Sequence, residues 1–132
     1  MPPMSLARMA GRWIPALIMM VLIFLLSSLP ASALPYFGRW DVLVKKASHA
    51  LGYAMLALAY HGALPRSLAP GYRWVTALFM AALFALSDEF HQSFVDGRTS
   101  SLRDVAIDSL GAAVALSGRL IYSSNSSSNA SD

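Results

Sequence analysis

The segment Ser87-Asp88-Glu89-Phe90-His91-Gln92 brings together carboxylates, an imidazole and an amide, the side-chain types that most often move protons or hold ligands. On a helix, a spacing of three residues places Asp88 and His91 on one face, where they could share a proton or a metal ion. His91 is the candidate general base for hydrolysis or group transfer, oriented by Asp88 or Glu89. The sequence offers no distinctive nucleophile beside these three catalytic candidates.

Further polar side chains occur within or beside other apolar segments of the chain. Lys46 and Arg98 could bind a phosphate, the lysine as a point charge and the arginine as a planar fork. Two plainer readings stay open: the lysines extend to ordinary lipid headgroups, or the polar groups only pair with one another. The candidate ligand-binding residues are Lys46, His49, Tyr53, Gln92, Arg98, Asp104 and Asp108.

A metal site is the weaker interpretation of the same residues. Asp88 and His91, joined by His49 and Asp108, would supply nitrogen and oxygen ligands for a divalent ion. The spacing alone is weak support, and we predict neither a metal nor a cofactor. The chain has no cysteine, which excludes disulfides and thiolate chemistry, and it has no glycine-rich phosphate loop or dinucleotide fingerprint.

The composition indicates the elements that must position these residues. Of 132 residues, 56% are hydrophobic and only 13% are charged, too little polar surface to cover a water-soluble globule. The apolar residues form blocks about as long as a bilayer core is thick. The sequence therefore predicts an all-α, polytopic membrane bundle of four transmembrane helices, at about 13–29, 42–64, 74–94 and 104–122.

This pattern divides the chain into three parts. Residues 1–12 are predicted as a cytoplasmic N-terminus, 13–122 as the membrane domain, and 123–132 as a disordered Ser/Asn-rich tail. The first block also resembles a secretory signal peptide, because Ala31-Ser32-Ala33 reads as a cleavage site. We favour a retained helix and leave the cleaved alternative open.

The positions of the basic residues along the chain help to predict its orientation in the membrane and its partners. The ten Lys and Arg residues divide evenly between the two predicted faces, so the preference for an inside N-terminus rests on Arg8 and Arg12, which flank the first helix. Their placement, singly or in pairs beside apolar blocks, argues against nucleic-acid binding. We predict a multi-pass membrane protein with lipids as partners, and leave homo-oligomer formation open.

Short connections force successive helices of a bundle to run antiparallel. The starts of the second and fourth helices and the end of the third then meet at one membrane face. All the candidate residues except Tyr53, which lies deeper, meet there with them. An ionisable residue within a span costs about 2.5 to 3.5 kcal/mol. A cluster of this size therefore needs mutual pairing, solvation or a function.

The chain resembles the VanZ-like family of small bacterial membrane proteins over roughly residues 26–118. The matching residues are the run 87–92, then Phe94, Gly97-Arg98, Asp104, Asp108 and Gly111, preceded by Lys46, His49 and Tyr53. Val95-Asp96 stands where that family often has a Pro-containing turn, and Asp108 where it often has Asn. The resemblance implies a role at the bacterial cell envelope, in the cytoplasmic membrane. One member of that family is associated with low-level teicoplanin resistance, and the family has no agreed biochemical activity.

Three functions are compatible with these observations. The leading hypothesis is binding of an anionic headgroup, carried by a lipid or a lipid-linked cell-wall precursor. The first alternative is a membrane enzyme that acts on a lipid phosphate, with His91 as the base. The second is a component for transport of protons or small ions, because membrane carboxylates and histidines often serve as relays.

Overall fold

The computed structural model describes residues 6–128 as a bundle of helices, with no strand in that range. The all-α prediction is confirmed, and four long helices are present. A short helix, α1, precedes them, and two 3-10 turns occupy the connection between α2 and α3. The elements are α1 (Leu6–Gly11), α2 (Ile14–Ser27), the turns Ala31–Ala33 and Gly38–Trp40, α3 (Asp41–Ala63), α4 (Pro70–Gln92) and α5 (Leu102–Ser128).

Prolines set two of the helix boundaries. Leu64 is extended, with ψ of 145°, because it precedes Pro65, and α3 therefore ends at Ala63. α4 begins at Pro70, four residues before the predicted start at Trp74. Proline has no N–H to leave unpaired in the first turn and already holds the helical φ, so the helix starts there.

Side-chain contacts between helix ends define an up-and-down arrangement. Arg12, just before α2, donates to the carbonyl of Gly62 near the end of α3, so these helices run antiparallel. Ser27 and Asp88 join the ends of α2 and α4. Lys46 and Asp104 join the starts of α3 and α5. One end of the bundle thus collects the candidate residues, as the sequence predicted.

Small residues bring the helices close together. A Cβ placed on Gly111 of α5 would lie 2.5 Å from the carbonyl oxygen of Ala50 in α3, so only glycine permits this backbone contact. Gly118, about two turns further along α5, has open space where a Cβ would be. On α4, Ala77, Ala81 and Ala85 are buried at a spacing of four. The core is therefore narrow and alanine-rich.

Large apolar side chains cover the outside of the bundle. Leu17 and Val21 on α2, Phe79 on α4 and Val114 on α5 are each more than half exposed. Within the described residues, two helical stretches are long and apolar enough to cross a membrane, Ala7–Ser27 and Leu102–Ser126. α3 and α4 are not among them.

The C-terminal end of α5 differs from the prediction. The helix continues through residues 123–128, which the sequence predicted to be disordered, so that prediction is wrong for this stretch. Adding a residue to an existing helix costs far less than starting one, and serine hydroxyls can bond back to helix carbonyls. Ser124 and Ser126 do so, to Ile121 and Tyr122. Residues 1–5 and 129–132 lie outside the described part.

Candidate functional site

A cavity of about 230 Å³ lies at the end of the bundle where α3 and α5 begin and α4 ends. The first turns of α3 and α5 and the last turn of α4 form its walls, and the loop 97–99 forms its rim. Six of the seven predicted ligand-binding residues line it, Tyr53 being the exception. The polar residues of the lining are Asp41, Lys45, Lys46, His49, Glu89, Gln92, Arg98, Thr99, Asp104 and Asp108.

Asp88 lies behind this cavity and ties three helices together. Its side chain is buried, and Oδ2 accepts hydrogen bonds from Ser27 of α2 at 2.9 Å, Tyr53 of α3 at 3.2 Å and Gln92 of α4 at 3.0 Å. Three donors on one oxygen satisfy that oxygen within the bundle. Tyr53, a predicted ligand-binding residue, therefore bonds to Asp88 behind the cavity and does not line the cavity itself.

Asp108 and His49 face each other across the cavity wall between α5 and α3. His49 Nδ1 lies 3.8 Å from Asp108 Oδ2, which is an ion-pair distance and too long for a hydrogen bond. Asp108 is only 2% exposed, yet Oδ2 has no hydrogen-bond partner among the described residues. A buried acceptor without a donor is costly, so this carboxylate oxygen is suited to receive a donor from a ligand or from water.

The start of α5 is fixed by polar contacts from two neighbouring helices. Lys46 of α3 pairs with Asp104, and the Ser101 hydroxyl donates to the other oxygen of that carboxylate at 2.9 Å. The Asp104 N–H returns a bond to Ser101, as in a helix capping box. Glu89 of α4 accepts the Ser101 N–H at 2.9 Å. Lys46, Glu89 and Asp104 thus already have protein partners.

Arg98 bonds to the backbone of α2. Its guanidinium donates to the carbonyls of Leu26 at 2.8 Å and Leu29 at 3.1 Å, at the end of that helix. A cation is favourable there because the last carbonyls of a helix carry partial negative charge. No carboxylate of the described residues forms an ion pair with it. Arg98 lines the cavity with its charge uncompensated by an acid.

The structure separates His91 from the cavity. His91 Nε2 lies 2.9 Å from the hydroxyl of Ser28, and its ring stacks on Phe24 with centroids 4.6 Å apart. Residues three apart on a helix still differ by about 60° in direction. Asp88 and His91 therefore meet different residues of α2, and the expected hydrogen bond between them is absent. The catalytic candidate His91 is not among the cavity-lining residues.

This separation also divides the four potential metal ligands. His49 and Asp108 line the cavity, whereas Asp88 and His91 pack against α2. Within residues 6–128, no three histidine or acidic side chains lie close enough together to hold a metal ion. The side chains that do converge in the cavity are suited to hydrogen bonding and charge pairing.

Sequence reasoning missed several supporting residues. Ser27 and Ser28 contact Asp88 and His91, although they look like an ordinary polar end to an apolar block. Ser101 could have been found, because Ser-x-x-Asp before an apolar run is a helix N-terminal signal. The ion pair of Lys45 with Asp41, one turn away at 2.7 Å, was also not predicted.

The cavity lining carries both signs of charge. Lys45, Lys46 and Arg98 stand against four carboxylates, those of Asp41, Glu89, Asp104 and Asp108, with His49 able to add one further positive charge. Two of the cations are paired, so the surface is not a simple anion trap. It complements a ligand that has acceptor oxygens at one end and hydrogen-bond donors at the other.

The apolar exterior of the helical bundle and its two membrane-length helices are typical of a helical membrane protein. A family model described as VanZ/LLP1 matches residues 12–123, a range that includes every residue of the candidate site. The chain belongs to the VanZ/LLP1 family, as the sequence resemblance predicted. Searches of curated proteins and of solved structures found no match.

Proposed function

We propose that this protein binds the polar headgroup of a membrane lipid, or of a lipid-linked cell-wall precursor, in the 230 Å³ cavity. The observation that carries the proposal is the Asp108 carboxylate, buried in the cavity wall with an oxygen that lacks a donor. Arg98, which forms no ion pair with a carboxylate of the described residues, supplies positive charge to a phosphate. Asp108 accepts a bond from an amine or hydroxyl of the same headgroup.

This arrangement narrows the kind of headgroup. A group that is only anionic would meet Glu89 and Asp108 as well as the cations, and like charges cost free energy on approach. A phosphate joined to an amine or to sugar hydroxyls complements both sets of side chains. The cavity is smaller than the roughly 300 Å³ at which drug-sized pockets begin, which suits one small polar group.

The proposal includes four membrane-spanning helices. α3 and α4 each have 23 residues, which at 1.5 Å per residue gives about 35 Å, more than the roughly 30 Å hydrocarbon core. The charged residues of α3 and α4 lie near the ends of these helices, where headgroups and water can solvate them. Trp40 near the cavity end, and Trp13 and Trp74 near the other end, occupy positions typical of interfacial anchors.

Orientation follows from the end of the bundle opposite the cavity. Arg12 donates to the Gly62 and Leu64 carbonyls, and Arg73 donates to the carbonyl of His61, so both arginines lie at the end of α3. Because the ten Lys and Arg residues divide evenly between the two ends of the bundle, the proposed cytoplasmic placement of this end rests on Arg8 and Arg12, which flank the first helix. The cavity then faces the outer leaflet of the bacterial cytoplasmic membrane, where a teicoplanin-resistance-like role would act on cell-wall precursors.

The test is headgroup selectivity in the purified protein. Native mass spectrometry would compare retained phosphatidylethanolamine with phosphatidylglycerol for the wild type and for Asp108→Asn, which keeps the shape and removes the charge. A hydrogen bond to a charged group contributes about 1.5 to 3 kcal/mol, so we expect Asp108→Asn to lose a preference of about tenfold or more for the amine-bearing lipid.

The matched control is Asp96→Asn, in the exposed loop that follows α4. It removes one carboxylate from the same end of the bundle but outside the cavity lining, so it should retain the wild-type preference. A wild type with no headgroup preference, or a preference that survives in Asp108→Asn, would refute the proposed site.

A further inference from the structure

A second cavity, of about 500 Å³, lies between α2 and α3 and is almost entirely apolar. Met19, Leu22 and Leu26 form the α2 wall, and Val44, Gly52 and Met55 lie on the α3 wall. This apolar groove is more than twice the volume of the polar cavity. It falls within the range of about 300 to 1,000 Å³ typical of ligand sites.

The apolar groove and the polar cavity share a boundary. Lys45, His49 and Arg98 line both, as does Leu34 from the connection between α2 and α3. Positive side chains therefore stand where the apolar space ends and the polar space begins. A molecule lying across this boundary would meet cations at the junction between its hydrocarbon and its headgroup.

The length of the groove matches one leaflet of a bilayer. From Met19 to Ser27 the α2 wall covers eight residue steps, about 12 Å, and from Val44 to Met55 the α3 wall covers eleven, about 16 Å. Half of a hydrocarbon core of roughly 30 Å is about 15 Å. The groove thus runs from the headgroup layer to about the middle of the membrane.

We infer that the apolar groove holds one hydrocarbon chain of the lipid whose headgroup lies in the polar cavity. This inference rests on the proposed function and adds the lipid's chain to it. At the boundary, the Arg98 charge, which no acid of the described residues compensates, is opposite to that of a lipid phosphate, and the groove continues directly into the headgroup site. A membrane lipid is the molecule that presents an apolar chain and a polar headgroup in this order and at this depth.

The test uses phosphatidylethanolamine with a photoactivatable diazirine at the middle of one acyl chain, incorporated into nanodiscs with the full-length protein. After irradiation, peptide mapping would locate the labelled residues. We expect label at Met19, Leu22 and Met55 in excess of label at Leu110 and Val114, which face outward on α5. Label spread evenly over all outward-facing residues would overturn the inference.

A variant that fills the groove sharpens this test. A Cβ at Gly52 would lie 3.8 Å from Ile23, which is an ordinary van der Waals contact. Gly52→Leu therefore places new carbon atoms in the groove, and its Cβ does not force α2 and α3 apart. We expect labelling of the groove to fall about tenfold, equivalent to roughly 1.4 kcal/mol of binding free energy. Gly62→Leu is the matched control in the same helix, because its Cβ would meet open space.

The outcomes separate the inference from the proposed function. Groove labelling that is equal in wild type and Gly52→Leu refutes the chain site, whatever headgroup preference Asp108→Asn reveals. Groove labelling that is strong and blocked by Gly52→Leu, in a protein without headgroup preference, supports the chain site and refutes the proposed function. Crosslinks from Met55 to a second copy of the chain would assign the groove to a protein interface and overturn the inference.

Discussion

Replacement of Asp88 by alanine should destabilise the bundle more than any other single carboxylate deletion. The Asp88 side chain is 3% exposed, and one of its oxygens accepts bonds from α2, α3 and α4. Deleting it leaves the donors of Ser27, Tyr53 and Gln92 buried without their acceptor.

The size of this effect can be estimated in two ways. Each unsatisfied buried polar group costs about 1 to 3 kcal/mol, so three of them would give roughly 3 to 9 kcal/mol. Hydrogen bonds between membrane helices average only about 0.6 kcal/mol, because partners are also found in the unfolded state, and three would give about 2 kcal/mol. We expect a loss of about 2 to 5 kcal/mol, since the three donors left without the carboxylate can partly relax toward water.

The assay is reversible unfolding in mixed micelles with increasing fractions of sodium dodecyl sulfate, followed by far-UV circular dichroism. The control is Asp96→Ala, an exposed loop carboxylate, which should change stability by less than about 0.5 kcal/mol. A loss below about 1 kcal/mol for Asp88→Ala would show that the three-helix contact is not a stabilising one. A double-mutant cycle with Ser27→Ala should then give a coupling near zero.

Two further predictions concern packing and the role of the histidines. Gly111→Ala should destabilise the protein by about 1 to 3 kcal/mol, because its Cβ would overlap the Ala50 carbonyl. Gly118→Ala places its Cβ in open space and should be neutral or slightly stabilising. Equal effects of the two variants in thermal melts would contradict the close approach of α3 and α5. His49→Gln should weaken headgroup retention in native mass spectrometry, and His91→Gln should leave it unchanged, because only His49 lines the cavity. A loss of retention in His91→Gln alone would place the site against α2 instead.

Much of this fold was accessible from sequence because helix period and block length are local properties. The four apolar blocks predicted the four long helices, and short connections predicted which ends would meet. The prediction that Lys46, His49 and Asp108 converge at one end needed only this threading, and the structure places them together. The convergence was therefore determined by the order and length of the helices.

What the sequence could not supply was the rotation of each helix about its own axis. A spacing of three residues allowed Asp88 and His91 to share a ligand, but the rotation of α4 directs them to Ser27 and Ser28 instead. Likewise, the sequence predicted a phosphate as the partner of Arg98. In the structure Arg98 also bonds to carbonyls at the end of α2. Such partners depend on packing between distant segments.

The most direct test of the account is the side of the membrane on which each end of the bundle lies. The chain has no cysteine, so single variants Ser32→Cys, Ser67→Cys and Ser100→Cys each introduce one thiol at an exposed position. In intact spheroplasts, a membrane-impermeant maleimide should label positions 32 and 100, and should label position 67 only after permeabilisation. Labelling of 32 and 100 from opposite sides, or of all three from one side, would contradict a four-span bundle with its polar cavity at the outer leaflet.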